Sequence, residues 1–215
     1  MGKTHIDPRT LTYWAMLDPG SGKTRDQLKR TSARSAFVVV ASDWLRRVFV
    51  VEVWAGRVAT GVLVDKIIEL NRKWQPRAFG IESSAQQSLF YDQLIEMMRI
   101  KGVRVPLQGI TQPTKIEKDF RIRSAIQPFL GNGRLFVPDT GDPFIIELEN
   151  ELRSFPVGKT KDIIDALASV LTMIPQIQPA REVDEERAAR VEYLRSIGAP
   201  PGYIEQVAAG VETGG

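Results

Sequence analysis

Two strongly apolar runs, SAFVVVAS (35–42) and RVFVVEVWA (47–55), stand either side of the short connection DWLRR. β-Branched and aromatic residues favour a pleated strand, and so short a link leaves two strands little choice but to pair as a hairpin. A chain with this hairpin is committed to a sheet. Alternation in the second run predicts Val48, Val50, Glu52 and Trp54 on one face and Phe49, Val51 and Val53 on the other. The neighbours say what kind of sheet it is. LTYWAML (11–17) predicts a strand ending at Asp18, with PGSG breaking it. Residues 60–74 place Val64, Ile67, Ile68 and Leu70 at helical spacing, and Pro76 stops that helix. RAFGIES (77–83) reads as a short strand ending at Glu82, Gln86–Arg99 as a helix closed by Gly102, and VRVPL (103–107) as another short strand. This order predicts an α/β fold with a central mixed β-sheet, an antiparallel hairpin edge plus parallel strands, flanked by helices.

The remainder supplies helices and one more strand. Residues 114–130 read as a basic amphipathic helix with Ile116, Phe120, Ile122, Ile126 and Phe129 inward. GNGRLFVP (131–138) predicts a turn and a short strand, and residues 143–155 a helix with Pro143 in its first turn. Residues 161–174 predict a last core helix whose apolar side is Ile163, Ile164, Leu167, Val170 and Leu171. Beyond Pro175 and Pro179, residues 181–197 look like an exposed charged helix, and YIEQVAAG like one short helix. The chain therefore divides into a leader (1–10), one α/β domain (11–175) and a helical or disordered tail (176–215).

Composition removes several chemistries. There is no cysteine, and the one histidine, His5, lies in the polar leader. Disulfides, thiolate catalysis, histidine triads and His- or Cys-based zinc sites are excluded. Carboxylates or lysines must carry any catalysis, and hard oxygen ligands favour Mg²⁺ or Mn²⁺. No apolar run approaches the roughly 20 residues that span a bilayer, and the start is not a signal segment, so a cytosolic protein with no membrane partner is expected. The net charge of +3 is modest but uneven, with basic clusters at 20–35 and 115–123 and an acidic tail after residue 180. Such a split points to a polyanion as partner of the body.

MLDPGSGKT (16–24) ends like a phosphate-binding loop, but the position five before Gly22 is Leu17, not glycine. The next stretch, RDQLKRTSARS, holds one large apolar residue, Leu28, and cannot be the core helix whose N-terminus would hold phosphates. The loop matters for its aspartate. Asp18 and Glu82 each end a strand, where α/β sheets place their ligands. Asp162 and Asp165 stand three apart at the start of the last helix, so both look the same way. Each has a plainer role when taken singly: Asp18-Pro19-Gly20 is a good turn, Glu82 a loop acid, and Asp162 a cap or first-turn acid. Asp165 is the exception, because an unpaired charge inside an apolar helix is costly. Converging carboxylates repel one another and persist when divalent cations neutralise them.

Taken in order, WAMLDPGSGKT, two apolar strands, FGIESSAQQ, RIRSAIQPFLGNGRLFVP and ELENELRSFPVGKTKDIIDALA resemble the nuclease domain of bacteriophage large terminases over residues 12–174. The last piece is the most specific of these. The resemblance implies a ribonuclease H-like fold and two-metal-ion cutting of double-stranded DNA, with little sequence specificity, during genome packaging. It implies Asp18, Glu82 and Asp165 as catalytic acids and metal ligands, with Asp162 assisting. Two divalent cations, Mg²⁺ or Mn²⁺, would be the cofactors. Candidate phosphate contacts are Lys23, Arg25, Lys29, Arg30, Lys115, Arg121, Lys159 and Lys161. The chain reads as the nuclease half of a longer protein, whose other parts and partners would be an N-terminal packaging ATPase, a portal and a small terminase subunit, in the cytoplasm of the infected host cell. Alternatives are a Holliday-junction resolvase, a ribonuclease H-type nuclease, or a non-catalytic DNA-binding or assembly module.

Overall fold

Thr12–Asp18 (β1), Ser35–Ser42 (β2), Val48–Gly56 (β3), Ala78–Glu82 (β4), Leu107–Ile110 (β5) and Leu135–Phe136 (β6) form one sheet, in the order β5-β4-β1-β2-β3-β6. The computed structural model describes residues 7–20, 34–82, 88–112, 116–175, 188 and 190–209. β1, β2 and β3 pair antiparallel in turn, while β4 lies parallel to β1, β5 parallel to β4 and β6 parallel to β3. The sheet is mixed, as the alternation of strands and helices predicts, but the hairpin is not its edge, because β6 pairs parallel on the outer side of β3. β2 sits at its centre, and all eight of its residues are buried, which is why it reads as an unbroken apolar run.

Helices cover both faces. Thr60–Trp74 (α1) and Ser88–Ile100 (α2) pack on the face that carries Ala15, Leu17, Phe37, Val39, Phe79 and Ile81. Lys118–Gly131 (α3), Pro143–Ser154 (α4) and Asp162–Met173 (α5) pack on the other, which carries Trp14, Met16, Ala36, Val38 and Val40. Period-two alternation thus divides β1 and β2 between two cores.

Three expectations need correction. Strict alternation fails in β3, because a bulge sets Val39 opposite Glu52 but Val40 opposite Val50. The extra residue reverses the parity, so Val48, Val50, Val53 and Ala55 share the α3–α5 core, while Trp54 packs on the α1–α2 side. The strand expected at 103–107 starts instead at Leu107. Pro106 has no N–H for the ladder and offers only its carbonyl, which accepts from the Phe79 amide at 2.9 Å, and Val103 and Val105 pack as apolar filling. In α3, Ile122, Ile126 and Phe129 are buried as expected, but Phe120 is 63 % exposed. Two residues from Ile122 lies the opposite side of a helix. Ile116 precedes the helix and is 44 % exposed.

The chain falls into two compact units, Met1–Ile174 and Pro175–Gly215. In the second, residues 190–196 are helical, with Val191 and Leu194 buried, and Pro201–Ala208 forms a short helix. Residues 181–187 of the expected charged helix lie outside the described residues. Among the described residues no helix is long and apolar enough to cross a membrane.

Candidate active site

The parity of β1 and β4 decides where their last residues point. Met16 faces α5, so Asp18, two residues on, shares that face. In β4, Phe79 and Ile81 face α1 and α2, so Gly80 and Glu82 face α5. The parallel register pairs Leu17 with Ile81, which brings Asp18 and Glu82 side by side at the carboxyl ends of adjacent strands. The turn after Asp18 is tied to β2, where the Ser35 hydroxyl accepts from the Gly20 amide at 3.1 Å. α5 comes close above them because Gly80 leaves room. A Cβ there would stand 2.6 Å from the Met173 sulfur and 2.7 Å from that of Met16.

α5 delivers the third acid. Its first turn carries Asp162 and Asp165, whose charge suits the positive end of the helix dipole. Lys161, its N-cap, makes no side-chain cap. The missing acceptor comes from α4, where Glu151, 3 % exposed, accepts the Ile164 amide on Oε2 at 2.8 Å. The result is a cluster: oxygens of Asp18, Glu82 and Asp165 all lie within 4.8 Å of one another.

Three carboxyl groups this close cannot all ionise freely. Burial, then the charges of Glu82 and Asp165, hold the Asp18 carboxyl well above the ordinary carboxylate range, and Lys118 offsets only part of this. Burial and Asp165 likewise push Glu82 up, against the pull of Arg121 and a hydrogen bond with Asp18. Asp165 is buried and faces two cations. Lys118 Nζ lies 2.8 Å from Oδ2 and Arg121 Nη2 2.7 Å from Oδ1. The second contact is an ion pair only, since no donor among the described residues is aligned on Oδ1 as a hydrogen bond. All-oxygen donors, carboxyl groups destabilised as anions and an under-satisfied buried oxygen fit a hard divalent cation. The residues that would hold it are Asp18, Glu82 and Asp165.

The other candidates fall elsewhere. Asp162 is outside the converging three and lines an adjoining cleft of ≈ 540 Å³ with Arg34, Arg57, Lys118, Lys159 and Lys161. Besides Lys118 on Asp165, acid partners hold Lys161, from which both Asp119 oxygens accept at 2.7 and 2.8 Å, and Arg34, which makes a two-pronged pair with Glu147. Arg121, expected on phosphate, lies against Asp165. Lys23, Arg25, Lys29, Arg30 and Lys115 lie outside the described residues. Sequence reasoning missed Lys118 and Glu151. Lys118 stands one turn before Arg121 on α3, and Glu151 lies three residues past Leu148, at the spacing of a core position.

No protein-family model and no curated protein matches the sequence. Solved structures do match. The large terminase nuclease from the thermophilic phage G20c is 16 % identical, over 78 % of this chain and 84 % of that one, with a TM-score of 0.51. The nuclease domain of the large terminase subunit gp2 of bacterial virus Sf6, solved with manganese, is 10 % identical over 79 % and 89 %, at 0.45. T. thermophilus RuvC in complex with a Holliday junction substrate is 13 % identical over 75 % and 92 %, at 0.42. The sheet order, the helices on its two faces and the likeness to the G20c nuclease together give this chain a ribonuclease H-like fold, in the form that a phage large-terminase nuclease takes.

Proposed function

We infer that the chain is a divalent-metal-dependent endonuclease that cuts double-stranded DNA, the nuclease part of a viral genome-packaging terminase. One observation carries this reading: Asp18, Glu82 and Asp165, far apart in sequence, converge within 4.8 Å at the carboxyl end of the sheet. The fold likeness to the G20c nuclease and the Asp162-to-Leu167 stretch at the head of α5 support it. Two Mg²⁺ or Mn²⁺ ions held by these acids, with Asp162 beside them, would supply the charge neutralisation and water activation that phosphodiester hydrolysis needs.

The chain's own residues do the rest. Burial and mutual repulsion hold the Asp18 and Glu82 carboxyls above the ordinary range, and both would have to be ionised to serve as full oxygen ligands of the cations. Arg121 holds Asp165 in place from the buried side. Lys159 and Lys161, on the turn before α5, border the cleft where a backbone phosphate would lie. Phosphate contacts position a duplex without reading its bases, so cutting is weakly sequence-specific and salt-sensitive. In the intact machine the partners would be a packaging ATPase, a portal and a small terminase subunit, in the cytoplasm of the infected host cell.

The test is incubation of the protein with plasmid, linear duplex and a four-way junction in Mg²⁺, in Mn²⁺ and in chelator. Metal-dependent cutting of plasmid and linear duplex is expected, and Asp18→Asn should abolish it. Cleavage confined to the junction would reassign the chain to the resolvases. DNA binding with no cleavage in any metal would leave only a binding module.

A further inference from the structure

The acid cluster has a cation of its own. Lys118, the first residue of α3, lies with Nζ 2.8 Å from Asp165 Oδ2, and its charge also acts on Asp18 and Asp162. The two cations on Asp165 differ in kind. Arg121 is 15 % exposed at its side chain and fixed on the inner oxygen, whereas the Lys118 side chain is 49 % exposed and borders the basic cleft. An ammonium against Oδ2 occupies that oxygen and repels an arriving dication. Once displaced, a flexible four-carbon stem with three rotatable donors stands at the wall of a cleft that also holds Arg57, Lys159 and Lys161.

We propose that Lys118 is a resident counter-cation: it holds Asp165 while the site is metal-free, yields it to the divalent cation, and then binds a DNA backbone phosphate in the cleft. This rests on the metal-dependent nuclease reading above. It has a thermodynamic consequence. Metal frees Lys118 for DNA and DNA draws Lys118 off the metal site, so each ligand strengthens the binding of the other by the same factor.

The test uses the full chain, with Lys118→Met and Lys118→Arg. Calorimetric titration with MnCl₂ should show Lys118→Met binding Mn²⁺ about 5-fold or more tighter than wild type, a coupling of ordinary size. Fluorescence anisotropy of a labelled duplex, in Ca²⁺ and in chelator, should show a metal-dependent gain in DNA affinity for wild type and Lys118→Arg that Lys118→Met lacks. Circular dichroism checks folding, and Lys118→Gln gives the same comparison should the methionine variant not fold. Unchanged or weaker Mn²⁺ binding by the neutral variants overturns the proposal, as does an undiminished metal-dependent gain in their DNA affinity. If wild type takes up no Mn²⁺ at all, the metal reading itself falls and this inference falls with it.

Discussion

Burial, and then the charges of Glu82 and Asp165 beside it, hold the Asp18 carboxyl well above the ordinary carboxylate range. A group whose folded pKa is raised contributes stability that is fully present below its unfolded pKa and is lost as pH rises through the folded value. For Asp18 and Glu82, both raised, that loss runs upward from the ordinary carboxylate range. Glu147 has the opposite sign, since the Arg34 hydrogen bond lowers it. Burial raises Glu52, but hydrogen bonds from Lys73 and Trp74 outweigh this and leave it low. Both lose their contribution only in acid, at or below the ordinary carboxylate range, and so do not confuse the window above it, where Glu151, also raised by burial, acts in the same direction as Asp18 and Glu82. In chelator the thermal midpoint should therefore fall across that window, and saturating Mn²⁺ should flatten the fall by taking the proton's place. Asp18→Asn should raise the metal-free midpoint at pH 8 by about 2–4 °C for each kcal/mol of relieved repulsion. It should also lose most of the Mn²⁺-induced shift. Differential scanning calorimetry reads both quantities, and a metal-free Asp18→Asn protein less stable than wild type at pH 8 would contradict the account.

The site depends on where one helix begins and how closely it lies on the sheet. Glu151 fixes the start of α5 through the Ile164 amide. Removing the acceptor leaves a buried N–H unpaired, so Glu151→Ala should cost about 1–3 kcal/mol and weaken Mn²⁺ binding. Glu151→Gln keeps a carbonyl acceptor and removes a charge that burial already disfavours, so it should stay near wild type in both. Urea denaturation and calorimetric titration separate the two variants. Gly80 sets the closeness. Gly80→Val would push branched carbons against Met16 and Met173, forcing α5 outward at a cost of about 1–3 kcal/mol. Metal affinity should fall with it, while Gly102→Ala, where a Cβ meets nothing, should leave affinity unchanged despite its left-handed backbone. At this scale the sequence shows how much can be read in advance. Asp18 and Glu82 were legible because each ends an apolar run, and Asp165 because it breaks an apolar helix stripe. Glu151 was not, because its partner is an amide thirteen residues on, across a helix–helix packing. The β3 bulge left no local mark, since Val50, Val51 and Val53 suit either face equally well. The start of β5 was legible in principle, because Pro106 cannot join a ladder from its N–H side.

Over the whole chain, charge is distributed against its own sum. Residues 176–215 carry seven acidic and four basic side chains, a net −3, which leaves the rest of the chain at +6 although the total is +3. A DNA duplex approaching the body meets the field of both parts, summed at long range and screened by salt. The division at Ile174 separates two compact units, so a chain ending at Pro175 should fold, keep the proposed metal-dependent cleavage and unfold at about the wild-type midpoint. It should also bind duplex DNA more tightly at low ionic strength, and that advantage should vanish as the Debye length shrinks to about 3 Å near 1 M salt. Loss of a direct phosphate contact behaves differently. Lys159→Ala, at the wall of the cleft, should lower the slope of log K against log salt by about 0.9, because one fewer counterion is released. Removing the acidic segment changes the field but no contact, so it should shift the low-salt end of the plot with little change in the number of ions released. Anisotropy titrations of the full chain, the shortened chain and Lys159→Ala over a range of NaCl concentrations distinguish the two effects. A shortened chain that lost affinity at low salt would mean that residues 176–215 themselves touch the DNA.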